Sequence, residues 1–539
     1  MQQLQTLDYI VFFFYFIVVS GYGYWIYQRK KTTTESTKDF FLAEGSLTWW
    51  AIGASLIASN ISAEQFIGMS GNGFSMGLGI STYEWMAAAT LIIVAVFFMP
   101  IYLKNKIYTM PQFLSQRYNP TVSLIMAIFW LALYILVNLT SILYLGALAV
   151  SGISGLNFTF CMIALAVFAI IITVGGMKVI GYTDVIQVFF LVIGGLATTY
   201  LAVNLVSGET GIDGLLSGMK MMRENHDDHF HMIFPKSSPF YMQLPGLTVL
   251  LGGMWIVNLN YWGCNQYITQ RALGADLKTA RNGILFAAGL KLLMPVIVVL
   301  PGIAAYALYS KGLFQAEMLG SDGLINPDKA YPVLLNLLPT GLKGLSFAAL
   351  TAAVVASLAG KANSISTIFT LDIFKNYIGK DADEKKLVLI GRLVVVIAMV
   401  LAIVVSPYMG IDKKGGFQFI QEMTGLLSPG IFASFIMGFF WKKTNSAGAL
   451  FAIVGGFLIA LAMHNNYLPG ADWTQVPFLD RMGLVFLICV VVMFILGLVL
   501  PDEKKGLQID VSMFMPHRSF VIWAIIVLSI ITVLYNTFW

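Results

Sequence analysis

Residues 54–70 read ASLIASNISAEQFIGMS, an apolar segment with Asn60, Ser62, Glu64 and Gln65 at its centre. In hydrocarbon each of these groups needs a partner, and a carboxylate costs at least about 2.5 kcal/mol even on permissive insertion scales. The run therefore lines a cavity, and it reads as a helix broken at its middle. A second stretch of the same kind, residues 257–267, VNLNYWGCNQY, lies near the centre of the chain. Two interrupted helices in matching halves point to a secondary transporter, whose solute site forms where unwound backbone meets at mid-membrane.

The rest of the chain agrees. Of 539 residues 58% are hydrophobic and 11% charged, and the mean hydropathy is +0.79. A soluble protein of this size could not hide so much apolar surface, so the chain is a polytopic membrane protein. The net charge of +5 is spread over short loops; it informs topology and argues against a nucleic-acid partner. Cys161, Cys264 and Cys489 fall in apolar runs without paired spacing, which predicts free thiols and neither a disulfide framework nor a zinc site. The first residues lack the basic flank of a signal peptide, so the N-terminus is expected to be retained.

At roughly 20 residues per crossing, about fourteen helices are expected: 9–27, 47–71, 78–103, 122–151, 158–176, 183–206, 246–266, 279–309, 341–376, 385–407, 417–441, 445–464, 481–500 and 519–538. Arg29, Lys30, Lys31 and Lys38 follow the first, Lys104, Lys106 and Arg117 the third, Lys178 the fifth, and Arg271, Lys278 and Arg281 the seventh. Those loops are then cytoplasmic, with both termini outside a plasma (bacterial inner) membrane, and Lys413 and Lys414 are the exception. The interrupted helices are the second and seventh, so 47–207 and 246–441 form two five-helix units. An odd number of helices per unit makes them an inverted repeat. Residues 1–46 and 442–539 are accessory, and 208–245 is an extracytoplasmic loop. That loop and 310–339 are expected to carry short surface helices.

Seven runs carry a family signature: 54–77 ASLIASNISAEQFIGMSGNGFSMG, 81–88 STYEWMAA, 135–146 ILVNLTSILYLG, 182–195 YTDVIQVFFLVIGG, 258–271 NLNYWGCNQYITQR, 363–374 NSISTIFTLDIF and 417–431 FQFIQEMTGLLSPGI. In order and spacing they resemble the solute:sodium symporter family, nearly end to end. The resemblance implies an all-α membrane protein with the LeuT-type five-plus-five inverted repeat. It also implies alternating access, with uptake of a hexose such as galactose or glucose driven by sodium and no organic cofactor. Nothing in the sequence points to an obligate protein partner; the partners expected are the sugar and membrane lipid.

Gln65, Glu84, Asn258, Lys291 and Gln421 stand on five different core helices, each a polar group in apolar sequence. One such residue often only knits helices together. Jointly they match the family positions that hold a sugar, and they offer what hydroxyls need: carboxylate and amide acceptors, amide and ammonium donors. Glu84 and Lys291 are expected to pair when the site is empty. By the same resemblance Tyr261 is an inner gate with Trp262 beside it, both expected just after the break in the seventh helix. Met69, Tyr83 and Phe417 are an outer gate. Asn60, Ser62, Glu64 and Asn138 match polar positions that keep the broken helix in shape. Ala87 stands where the resemblance leads one to expect a serine at the sugar.

The resemblance places sodium on the carbonyls of Ala58, Ile61 and Ala353 and on two consecutive serine hydroxyls. Here those positions are Ala356 and Ser357, so one hydroxyl is missing. One turn on, Lys361 places an ammonium on the same face as Ser357. It lies about 21 Å along the helix from Lys375, too far to snorkel, and so needs an internal anion. Asp184 is the expected partner. The alternatives are a sodium-independent or proton-coupled carrier in which Lys361 replaces the cation, and a sugar sensor that binds without transport. No nucleophile–base or metal constellation suggests an enzyme. Glycine pairs at 194–195, 252–253 and 455–456 suit close helix packing, and 501–507, PDEKKGL, reads as a solvated connection.

Overall fold

The computed structural model describes residues 4–29, 47–174, 177–320, 323–408, 416–500 and 507–539. Within them the chain is helical, and the one β pairing is an isolated bridge between Leu319 and Ile325. The expected positions of Lys30, Lys31, Lys38, Lys413, Lys414 and most of the 501–507 connection lie outside the described residues. Every helix anticipated from the sequence has a helical counterpart at its place. Nine described runs are long and apolar enough to cross a bilayer alone, ten if Phe417–Gly425 and Ser428–Phe440, bent by 51°, form one span.

Helix starts are marked by residues that satisfy free amides. Asn119 caps Pro120–Ala132, Asp276 caps Leu277–Val298 and Asp383 caps Glu384–Val405. These polar caps stop the apolar runs where backbone groups need partners other than the helix itself. The chain reverses after Ser70–Met76 at Gly77, which has φ +72°. A Cβ there would sit 2.2 Å from the His229 carbonyl, so both conformation and packing require glycine. As anticipated, the 208–245 stretch carries a surface helix, Gly211–Asn225. The helix within 310–339, Ala330–Asn336, differs from the expectation of a surface helix, because Ala330 to Leu335 are buried.

The centre is the span Leu342–Ile378, 89% of whose apolar window is buried; for Phe478–Val499 the share is 28% and for Arg518–Thr537 17%. These two C-terminal helices are thus the least buried of the three, and their exposed Leu498, Ile522 and Trp523 face outward where lipid would lie. The broken second helix packs against the eighth through Gly53 and Gly283. A Cβ on Gly53 would lie 2.6 Å from the Gly283 carbonyl, so only small residues let these backbones approach. The glycine pairs behave likewise: Cβ atoms on Gly195 and Gly253 would strike Ile297 and the Leu479 carbonyl at 2.1 and 2.2 Å.

The first helix, Thr6–Arg29, docks on this centre. Phe12 stacks on Phe347 at 4.7 Å, and Asp8, 1% exposed, accepts from the Gln5, Gly341 and Gly344 amides at 3.0, 2.7 and 3.0 Å. Asp8→Ala would strand the two glycine amides, at a cost of about 1–3 kcal/mol. The expected result is a lower Tm in detergent with solute affinity unchanged; an unchanged Tm would contradict this role.

Two sequence expectations are corrected. The seventh helix is continuous over Gly253–Gly263 and breaks at Cys264–Asn265, with a further irregularity at Gly252. Tyr261 and Trp262 therefore precede the break instead of following it. The cause is Asn265, whose side chain caps Gln266–Leu273 by accepting from the Tyr267 amide at 3.3 Å. Second, three arginines counted as loop charges are buried staples. Arg117 donates to the carbonyls of Gly438, Trp441, Lys442 and Thr444. Arg281 reaches those of Ala95, Met513 and Met515, and Arg271 sits inside the core.

Candidate solute and cation site

Trp49–Asn60 ends because Ile61 turns extended, with φ −79° and ψ 109°. The amides that would continue the helix are diverted. Ser62 N donates to Gln65 Oε1 at 3.0 Å, Glu64 N to Ser62 Oγ at 3.1 Å and Gln65 N to Ser62 O at 3.2 Å. The carbonyls of Ala58, Asn60 and Ile61 are thereby released from helical bonding, which is how a broken helix offers oxygens to a cation. The chain resumes as a π-helical turn, Glu64–Met69. Such turns concentrate at functional sites because the extra residue redirects side chains, here Glu64 and Gln65.

Beside this break lies a cavity whose wall includes Gln65, Glu84, Asn258, Lys291 and Gln421, all five of the residues singled out from sequence. The room it leaves for a water-sized sphere is ≈ 60 Å³. Lys291 Nζ donates to Glu84 Oε2 and to Asn60 Oδ1 and lies 5.1 Å over the Trp262 ring. The anticipated Glu84–Lys291 pair is therefore formed. Gln65 spends its carbonyl oxygen on the Ser62 amide and hydroxyl, at 3.0 and 3.2 Å, which leaves its NH2 to face the cavity as a donor. Asn258 donates one N–H to the Met254 carbonyl at 3.2 Å and keeps its oxygen as an acceptor.

The gate candidates meet in pairs. Tyr83 and Phe417 cross edge to face at 5.1 Å, and Tyr261 and Trp262 at 5.2 Å. Tyr261 OH accepts from Asn60 Nδ2 at 3.1 Å and lies 3.1 Å from Tyr267 OH, which itself donates to the Ser59 carbonyl. Four of the gate residues and Asn60, Glu64, Asn138 and Ala87 line the cavity. Met69 and Ser62 are buried but not on its wall; Met69 follows Gly68, which is pressed against Phe417, and Ser62 works through Gln65.

On the cation side, Ser357 Oγ donates to the Ser59 carbonyl at 2.8 Å, bringing the long central helix onto the break. Ala58, Ile61, Ala353 and Ala356 are all buried. The expected Lys361–Asp184 pair is not formed. Lys361 Nζ lies 3.6 Å from Glu64 Oε1 and 5.1 Å from the Tyr267 ring centroid, and it lines the cavity itself. Asp184 instead faces Arg271 at 3.8 Å and accepts from Ser55 Oγ at 2.5 Å. The guanidinium reaches Asp184 across Gly360, where a Cβ would lie 2.5 Å from its Nη2. Arg271 thus takes the acid that sequence reasoning had offered to Lys361.

Asn265 and Thr424 also line the cavity. Both carried a readable signal: Asn265 is polar inside the second interrupted stretch, and Thr424 shares a helix face with Phe417 and Gln421 at i+7 and i+3. The Asp184–Arg271 pair carried none, since its members lie far apart in sequence and Arg271 resembles an ordinary loop charge.

A helical membrane protein whose broken helices surround a central polar cavity is a secondary transporter of the LeuT fold. The chain belongs to the sodium:solute symporter family, whose model matches residues 40–456. It is 47% identical, over 99% of both chains, to the sodium/glucose cotransporter of Vibrio parahaemolyticus. It is 35% identical to human sodium/myo-inositol cotransporter 2 over 85% of this chain and 70% of that protein. Among solved structures, that of a Na+-coupled sialic acid symporter superimposes with a TM-score of 0.79 at 21% identity, covering 93% of this chain and all of the other. The relatives are transporters and not enzymes.

Proposed function

We propose that this protein is a plasma-membrane symporter that imports a hexose, glucose or galactose, coupled to sodium by alternating access. The observation that carries the reading is the convergence of Gln65, Glu84, Asn258, Lys291 and Gln421, from five helices, on one cavity. Its donors and acceptors suit the hydroxyls of a neutral sugar, Trp262 and Tyr261 supply an aromatic wall, and the four charged side chains on the wall form two pairs, Lys291 with Glu84 and Lys361 with Glu64. The 47% identity to a sodium/glucose cotransporter supports the same assignment.

In this reading a sugar hydroxyl competes for the Glu84–Lys291 pair, taking one hydrogen bond from the ammonium and giving one to the carboxylate. Tyr83, Phe417 and Met69 close the outer path and Tyr261 the inner one. Sodium, as co-substrate, is held by the freed carbonyls of Ala58 and Ile61, the Ala353 carbonyl and the Ser357 hydroxyl. This oxygen-only set is chemically suited to a hard cation. Ion binding favours the state in which 58–61 and Ser357 are together, and solute affinity follows by population shift. The chain crosses fourteen times with both termini outside, and 47–207 and 246–441 are the inverted units.

The test is uptake of radiolabelled glucose and galactose into proteoliposomes under an inward sodium gradient, with choline and proton-gradient arms and fucose and myo-inositol as competitors. Sodium-stimulated uptake inhibited most by a hexose is the expected result. Uptake no faster than in empty vesicles would leave a non-transporting sensor, and stimulation by protons alone would remove sodium as the driving ion.

A further inference from the structure

Lys361 is a buried charge on the cavity wall that the proposed cycle leaves without a role. It is 3% exposed and projects from the central helix one turn beyond Ser357. Both side chains meet the same short piece of chain: Ser357 at the Ser59 carbonyl, 2.8 Å away, and Lys361 at Glu64, 3.6 Å away. Glu64 Oε1 is buried and accepts no hydrogen bond, so the ammonium is its counter-charge. The Tyr267 ring, 5.1 Å from Nζ, adds a cation–π contact, and the same tyrosine holds the Ser59 carbonyl through its hydroxyl. Around residues 59–64, then, a cation fixed to the central helix ties down the broken helix. That is the structural work a bound sodium would do at this break, and Ala356 removes one of the oxygens sodium would use.

We infer that Lys361 is a tethered cation: its ammonium, paired with Glu64 across the break, assumes part of sodium's structural work and weakens both sodium binding and the dependence of solute affinity on sodium. The inference rests on the proposed position of the sodium seat at this break, not on which solute is carried. Linkage makes the effect reciprocal, since the factor by which sodium raises solute affinity is the factor by which solute raises sodium affinity. A chain that already contains the cation has less coupling to gain. Arg271, Asp184 and Ser55, which also pack near this helix, are engaged with one another, and Gln270 bonds Ser364 of the same helix. Glu64 is left as the acid that Lys361 serves.

The decisive measurement is equilibrium binding of 22Na+ to the purified protein without solute, because it does not depend on the hexose assignment. Lys361→Met alone leaves Glu64 buried and unpaired and is liable to misfold, so the variant used is the double Glu64→Gln/Lys361→Met, checked for monodispersity. Sodium affinity is expected to rise about tenfold in the double variant, within the range usual for coupling between sites. Lys361→Arg, which keeps the charge, is expected to stay close to wild type. In parallel, glucose Kd in choline and in sodium should differ by no more than about threefold in wild type and by about tenfold or more in the double variant. Equal sodium affinity in wild type and double variant would overturn the inference. A purely packing role for Lys361 predicts the same equality. Failure of wild type to bind any hexose in either salt sinks the solute assignment, while the 22Na+ comparison still decides the role of Lys361.

Discussion

Lys291→Met is expected to lower solute uptake by at least about a hundredfold and to destabilise the protein. The substitution leaves Glu84 as a buried carboxylate without its counter-charge, and breaking such a pair costs about 3–5 kcal/mol. It also deprives Asn60 Oδ1 of a donor and removes the cation over Trp262. Two effects are therefore combined, and a second variant separates them. Lys291→Met/Glu84→Gln removes both charges and is expected to recover most of the lost thermal stability without recovering uptake, because the site then lacks its ammonium donor and its charged acceptor. Proteoliposome uptake and Tm in detergent are the two readouts. Near-native uptake by the single variant would mean that the pair is structural, and that the solute binds elsewhere.

The second large effect belongs to Arg271→Met. Asp184 is 1% exposed, and its remaining partner would be the Ser55 hydroxyl. About 3–5 kcal/mol of stability should be lost, a large fraction of what a typical domain possesses. Fluorescence-detected size-exclusion chromatography of whole extracts would register this as a loss of the monodisperse peak. Arg271→Met/Asp184→Asn should restore much of it. Arg271→Lys should not, because one ammonium cannot reach Asp184 and also occupy the Ser55 carbonyl and hydroxyl, which Nε contacts at 3.1 and 2.9 Å. A stable, monodisperse Arg271→Met protein would show that Asp184 is satisfied from some other direction.

Both predictions concern charges in the core, and they differ in how visible those charges were beforehand. Glu84 and Lys291 each interrupt an apolar run, so each announces itself: a lipid-facing position would have rejected it. That they pair followed from the need of each to be neutralised. Arg271 interrupts nothing. It sits at the end of an apolar stretch, where topology rules expect a basic residue, and its burial arises from the turn at Cys264–Asn265 that folds Gln266–Leu273 back into the protein. A side chain that caps a helix decides that turn, and Asn265 as a capping residue is far less distinctive than a charge in hydrocarbon.

What the sequence determined by itself was the list of side chains that could not face lipid, and hence that part of 54–70 lines a chamber with Glu84, Asn258, Lys291 and Gln421. Transfer free energies are large and local, so a single residue in its run suffices to apply them. What only the tertiary structure decided was the pairing among those groups. Lys361 meets Glu64, and Asp184 meets Arg271, because Gly360 leaves room for a guanidinium to pass and a π-helical turn rotates Glu64 toward the central helix. Coulomb attraction favours any opposite pair brought within reach. Which pair that is depends on helix rotation and on steric gaps of one or two ångströms, and these exist only once the helices have packed.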